Sequence, residues 1–216
     1  MPTEHAALKI TLYYSPGACS LAPHIVLEEL GLAYETERII TAEGQQRSAA
    51  YLAINPRGRV PALVVDGKVL VENLAILTFL GGGFPARGLW PARTWEQAQA
   101  LSVMAWLADT VHPAFGHFYR PERYVDGSAC REAVKTSGRR SFEECLAEID
   151  RLVSGQRWAL GPRFSVVDAY LLVFYRWGAR MGYPVRRLER YTALAERILS
   201  RPAVKRVFAD EGITMA

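Results

Sequence analysis

The chain has 216 residues, 50% of them hydrophobic, enough for one large or two small packed domains, and no apolar run reaches the length of a membrane span. Its net charge of +4 is mild, and its densest arginine group, Arg186-Arg187 with Arg190, is a short solvated face, so a small anionic molecule is a better-suited partner than nucleic acid. The odd, sparse cysteines Cys19, Cys130 and Cys145, with no CxxC pair, speak against a disulfide framework and against a metal site.

The first eight residues lack the basic start, apolar middle and cleavage site of a secretory leader, so a reducing cytoplasm is expected. Residues 9–15 are β-branched and aromatic and predict a first strand, stopped by Pro16-Gly17. Leu21, Ile25, Val26 and Leu30 then carry helical spacing up to Gly31. Residues 34–40 predict a second strand, and residues 47–54 a weaker helix ended by Asn55-Pro56-Arg57-Gly58. Two β-prone runs, 62–65 and 68–71, flank Asp66-Gly67, which suits a type I′ hairpin because both turn positions need φ > 0. Pro61 donates no ladder bond and belongs at the strand start, where an X-Pro bond is cis or trans. Asn73 is a good cap for a helix through Leu74–Leu80. A strand–helix–strand unit wants parallel pairing with a right-handed crossover, and the hairpin adds an antiparallel pair, so residues 9–83 read as an α/β layer.

Gly81-Gly82-Gly83 and the Gly/Pro-rich residues after it place a linker at 84–93. Residues 94–216 show helical periodicity only. Leu101, Met104, Leu107 and Val111 line one face, and Phe142, Leu146, Ile149 and Val153 another. Pro113 frees the Asp109 carbonyl and predicts a kink beside His112. Ser165 and Asp168 form a capping-box pattern ahead of residues 166–180, whose apolar stretch 169–174 suits a domain centre. Further helices are expected around Tyr191, Leu194 and Ile198, and from Ala203.

Several residues carry candidate chemistry. Cys19 follows a strand and sits at a helix start, where the dipole can hold a thiolate; the alternative is a small buried hydrophobe. Ser15 and Ser20 are hydroxyl donors or plain caps, and Tyr13 and Tyr14 are phenol donors or packing residues. With a cis bond at Pro61, the Val60 N–H and C=O would face an extended peptide. The Glu72 carboxylate and the helix start at Asn73 would lie close enough to hold a zwitterionic amino-acid end. His112 is either a ligand contact or a structural histidine; His24 suits a structural role.

Four segments in order, residues 13–21, 55–63, 72–76 and 164–170, resemble the glutathione S-transferase family, closest to its bacterial beta-like members. The resemblance implies a thioredoxin-like α/β N-terminal domain that binds glutathione, an all-helical C-terminal domain and a homodimer. It implies a cis Val60–Pro61 bond with Val60 pairing to the cysteinyl backbone of glutathione. Glu72 and Asn73 would hold the γ-glutamyl end, and Cys19 and His112 match residues that beta-class enzymes place at their site. The family usually carries Ser or Gly where this chain has Asn73, and Arg47 stands in the region where beta enzymes carry a lysine. The function implied is addition of the glutathione thiolate to a small hydrophobic electrophile, held on an apolar wall that includes Val111, Phe115 and Phe118. Two alternatives stand beside it: thiol–disulfide reduction or peroxide reduction through Cys19, and a non-catalytic dimeric binding module.

Overall fold

A computed structural model describes residues 8–215. Residues 1–7, where no leader is expected, lie outside the described part. The chain forms two compact units: residues up to Trp90 together with Leu199–Thr214, and Pro91–Ile198.

In the first unit β1 (Ile10–Tyr14), α1 (Leu21–Leu30), β2 (Glu35–Arg38), α2 (Ala49–Ile54), β3 (Ala62–Val65), β4 (Lys68–Val71) and α3 (Asn73–Gly83) follow the expected order. The sheet order is β2-β1-β3-β4. β1 and β2 are parallel, and the other two pairs are antiparallel. Asp66 and Gly67 have φ of 48° and 77°, the two positive values a type I′ turn requires. The period-2 alternation of β1 buries Ile10, Leu12 and Tyr14 on one face. Ser48 caps α2 by accepting the Tyr51 N–H at 3.2 Å.

The last helix departs from the expected domain division. α9 (Pro202–Glu211) belongs with the first unit, not with a helical domain running to the C-terminus. The physical reason is its pairing with α1, against which it packs. Arg201 makes two bonds to the Glu29 carboxylate, at 2.5 and 2.7 Å, and Arg206 bonds Glu28. Ala203, Val204 and Val207 give α9 a buried apolar stripe.

The second unit holds α4 (Thr94–Trp106), α5 (His112–Tyr119), α6 (Ser128–Leu152), α7 (Val166–Arg180) and α8 (Glu189–Leu199). A π-helical segment, Leu107–Val111, joins α4 to α5. It takes the place of the simple kink expected at Pro113: the wider turn absorbs the backbone position whose donor proline lacks. α7 is buried over almost its whole length, as its apolar sequence predicts. Asp168 accepts the Ser165 N–H at 2.8 Å, the Ser165 hydroxyl at 2.9 Å and the Ala159 N–H at 2.8 Å. Burial pushes this carboxyl up to about 6 against the lowering effect of those donors.

α5 and α6 lie back to back at Gly138. A Cβ there would stand 2.6 Å from His117 Cβ and from the Phe118 nitrogen. Gly138→Ala is therefore expected to destabilise by about 1–3 kcal/mol, overriding the gain of roughly 1 kcal/mol that alanine brings to a helix interior. Urea unfolding followed by far-UV circular dichroism checks this. An unchanged or raised midpoint would show that the helices can separate freely.

No helix among the described residues is long and apolar enough to cross a membrane.

Candidate active site

Three stretches far apart in sequence meet in the first unit: the turn after β1, the junction before β3 and the start of α3. The Val60–Pro61 bond is cis. The Cys19 thiol donates to the Val60 carbonyl at 3.4 Å. The Asn73 side-chain amide donates to the Cys19 carbonyl at 2.9 Å. Among the described residues no acceptor takes the Val60 N–H. Cys19, Val60, Pro61 and Asn73 are thus brought together, with Glu72 beside them.

Each piece has its own support. The Arg59 carbonyl, one residue before Val60, accepts two bonds at 2.7 Å, from the Tyr51 hydroxyl and from the Asn55 amide. Asn55 Oδ1 also takes the Arg57 N–H at 3.1 Å. α2 and the loop after it therefore clamp the approach to the proline. Arg47 lies against Gly58 in the same loop, with side-chain atoms 3.1–3.2 Å from where a Cβ would stand. At the β1–α1 turn, the buried Ser20 hydroxyl accepts the Ser15 N–H and donates to the Ser15 carbonyl, both at 3.1 Å. Ser20 is thereby consumed in closing the turn. Ser15 is also buried and shares a hydroxyl contact of 3.2 Å with Thr41.

The turn has one further anchor, invisible in the local sequence. Glu211, at the end of α9, accepts the Gly17 N–H at 2.7 Å with one carboxylate oxygen. Its other oxygen lies 2.9 Å from His24 Nδ1. The Glu211 side chain is 0% exposed and that of His24 is 2% exposed. Sequence analysis missed Glu211, since nothing near position 211 points to position 17; the expectation that His24 is structural agrees with this pair.

Several expectations change. Cys19 does not sit as a dipole-stabilised thiolate: burial pushes its thiol up to about 12, outweighing the lowering effect of the Cys19 and Ser20 N–H groups. It is a protonated hydrogen-bond donor at neutral pH. Asn73 is the first residue of α3 and not its cap, which falls to Glu72. The Asn73 side chain turns inward, and its Oδ1 is buried without a partner among the described residues. Glu72 has φ of 72°, a conformation costly for a residue with a Cβ. Its carboxylate meets Arg57 at 2.6 Å in a pair more than 60% exposed on both sides (61% and 63%), which contributes little stability and leaves the carboxylate reachable. Tyr13 packs on Tyr51 with centroids 5.8 Å apart, and Tyr14 packs on His24 on the opposite face of the sheet.

His112 belongs to the second unit. Its ring meets Trp177 edge-on at 4.9 Å and Phe174 at 6.2 Å. Val111, Phe115 and Phe118, expected on an open acceptor wall, are 0%, 8% and 6% exposed. Phe115 stacks on Trp177 at 4.3 Å and on Tyr119 at 5.2 Å. The helical positions expected from periodicity face the unit's own core, while Tyr119, stacked on Phe115, is 50% exposed.

The family model for the N-terminal domain of glutathione S-transferases matches residues 8–82, and that for the C-terminal domain matches residues 129–196. Glutathione S-transferase GstA of Escherichia coli O157:H7 is 31% identical over 205 residues, spanning 94% of this chain and 98% of that protein. A glutathione transferase homologue from Sulfitobacter, solved with bound glutathione, is 32% identical with a TM-score of 0.89 over 95% of this chain and 99% of its own. A beta-class glutathione S-transferase from Sphingomonas chungbukensis is 32% identical with a TM-score of 0.84, covering 94% of this chain and all of its own.

Proposed function

Because the chain belongs to the glutathione S-transferase family, it is a transferase with glutathione as co-substrate, and we propose that it adds the glutathione thiolate to small hydrophobic electrophiles. The observation that carries this reading is the convergence of Cys19, Val60 and Asn73 within hydrogen-bond contact, beside an exposed Glu72 carboxylate. The Val60 N–H and C=O bind the cysteinyl backbone of the tripeptide, and Glu72 holds its γ-glutamyl ammonium. Arg47, exposed just before α2 with its side chain against Gly58, is the cation for the glycine carboxylate. Asn73 acts through Cys19 by holding its carbonyl.

The Cys19 and Ser20 N–H groups at the start of α1, which act to lower the Cys19 thiol, supply donors for the incoming thiolate. When glutathione binds, the Cys19 S–H turns from the Val60 carbonyl to the incoming sulfur and adds a third. A neutral donor of this kind stabilises a neighbouring thiolate; it does not itself attack a disulfide, which disfavours the reductase alternative. His112, half-buried with its ring against the core residues Trp177 and Phe174, is the contact offered to the acceptor. A homodimer in the cytoplasm completes the proposal; exposed Val69 on β4 and Phe79 on α3 fit an interface between copies.

Calorimetry with glutathione is expected to give saturable binding with Kd below about 1 mM, as transferases working near physiological substrate levels require. Glu72→Gln should weaken it roughly ten- to a hundredfold, the worth of a hydrogen bond to a charged group. No heat of binding at several millimolar overturns the proposal.

A further inference from the structure

Beside the Cys19 site stands a charge pair whose atoms are only partly used. Glu72, the residue before α3, has a φ of 72° and does not cap the helix with its side chain. Its carboxylate reaches instead to the loop ahead of Pro61, where Arg57 Nη1 donates to Glu72 Oε1 at 2.6 Å. Among the described residues this is the one bond that either side chain makes. Glu72 Oε2 and most of the guanidinium N–H donors are therefore uncommitted, on an exposed pair.

Both members are tied to the residues of the site. The Arg57 N–H donates to Asn55 Oδ1 at 3.1 Å, and the amide of the same buried Asn55 donates to the Arg59 carbonyl at 2.7 Å. One side chain thus sets Arg57 and the approach to Val60 together. Glu72 is followed by Asn73, whose amide holds the Cys19 carbonyl, and the Cys19 thiol meets the Val60 carbonyl. These contacts close a ring: Cys19 to Val60, back along the clamped loop to Arg57, across to Glu72, and through Asn73 to Cys19 again. An exposed ion pair contributes little stability, too little to account for a residue with a Cβ held at positive φ. A ligand that uses both charges accounts for it.

An α-amino acid carries an ammonium and a carboxylate on one carbon, opposite in sign to the two groups that the pair presents. We propose that Arg57 is a specificity-determining residue: it takes the α-carboxylate of the γ-glutamyl residue while Glu72 takes the α-ammonium, so the pair selects thiol peptides with a free, zwitterionic α-carbon. This rests on glutathione as co-substrate with its γ-glutamyl ammonium on Glu72. The Arg57–Glu72 bond persists in the complex. Oε2 accepts from the ammonium, and the remaining guanidinium N–H groups donate to the carboxylate in the paired geometry that suits arginine. The start of α3, left uncapped by the Glu72 side chain, adds its dipole to the attraction for that carboxylate. A thiol peptide lacking either charge leaves one member of the pair without its ligand partner and binds more weakly.

Calorimetry on the full chain with glutathione and with 4-aminobutanoyl-cysteinylglycine, which lacks only the α-carboxylate, tests this. The wild type should bind glutathione about tenfold or more tighter than the truncated peptide, the worth of a hydrogen bond to a charged group. Arg57→Gln alters an exposed side chain and leaves the fold intact. It should weaken glutathione about tenfold and leave the truncated peptide within about twofold of its wild-type Kd. Arg57→Lys should recover part of the loss, since it restores the charge without the fork. Glu72→Gln should weaken both peptides, because both carry the ammonium. Unaltered or tighter glutathione binding in Arg57→Gln overturns the proposal and makes Arg57 a mask over Glu72. Equal weakening of both peptides in Arg57→Gln overturns it in favour of a role in holding the loop. Either result leaves glutathione standing as co-substrate, whereas no binding of glutathione by the wild type overturns that reading and this proposal together.

Discussion

Glu211→Ala is expected to cost about 3–5 kcal/mol of stability, the loss that follows when one member of a buried, hydrogen-bonded pair is deleted. The substitution removes the acceptor of the Gly17 N–H and leaves His24 buried with its Nδ1 unpaired. Both groups are shut off from water, so neither can be rehydrated without opening the packing of α1 on α9. Glu211→Gln keeps an oxygen of similar reach and should lose clearly less, about 1–2 kcal/mol, by exchanging charged for neutral hydrogen bonds. Urea unfolding at neutral pH, with the midpoint and the slope both recorded, distinguishes the two variants. A loss below about 1 kcal/mol in the alanine variant would mean that the Gly17 turn is held by other contacts. Since that turn leads directly into Cys19, the alanine variant should also bind glutathione more weakly while its unfolded fraction is still small.

The second large effect concerns Cys19 itself. With its thiol pushed up to about 12 from an ordinary 9.0, the thiolate fraction at neutral pH falls about 1000-fold below that of a free cysteine, and alkylation by iodoacetamide should slow by that factor. Cys130 is exposed and should label first. Mass spectrometry of peptides from a timed reaction reads both rates. The Cys19 rate should climb about tenfold per pH unit from pH 7 to pH 10 without a plateau, because the thiol is still far below its midpoint. The linkage runs the same way: the unfolded thiol ionises near its ordinary value while the native one keeps its proton, so stability falls as pH rises from about 9 toward 12. Rapid labelling of Cys19 at pH 7, or a plateau near pH 7, would show a stabilised thiolate and revive disulfide chemistry at this position.

The order of elements was legible because it depends on neighbours in sequence. Asp66-Gly67 needs only two positive φ values to make a hairpin, and the apolar spacing from Leu21 to Leu30 needs only its own helix. The Ser165–Asp168 box and the buried α7 were readable for the same reason. The junction at Pro61 could be placed from the residues, but its isomer followed from family resemblance. The capping role given to Asn73 failed by one residue: a side chain that caps well by propensity is drawn inward when a buried carbonyl, that of Cys19, lacks a donor.

Acceptor positions chosen by helical period failed for a related reason. Period tells which residues share a face, but not whether that face meets a partner helix or a ligand, and Phe115 found Trp177. Cys19 shows the same limit in its chemistry. A helix start lowers a thiol's pKa in isolation, yet the desolvation that raises it depends on every atom that closes over the sulfur.

The amino-acid sequence alone determined the strands, the helices, their order and the residues able to do chemistry, since propensity, period and turn geometry act over a few residues. Tertiary structure alone decided that α9 returns to the first unit, that Glu211 holds the turn before Cys19, and that the Cys19 thiol keeps its proton. Those outcomes rest on burial and on hydrogen bonds between residues as many as 194 positions apart, and such contacts leave no mark on local sequence.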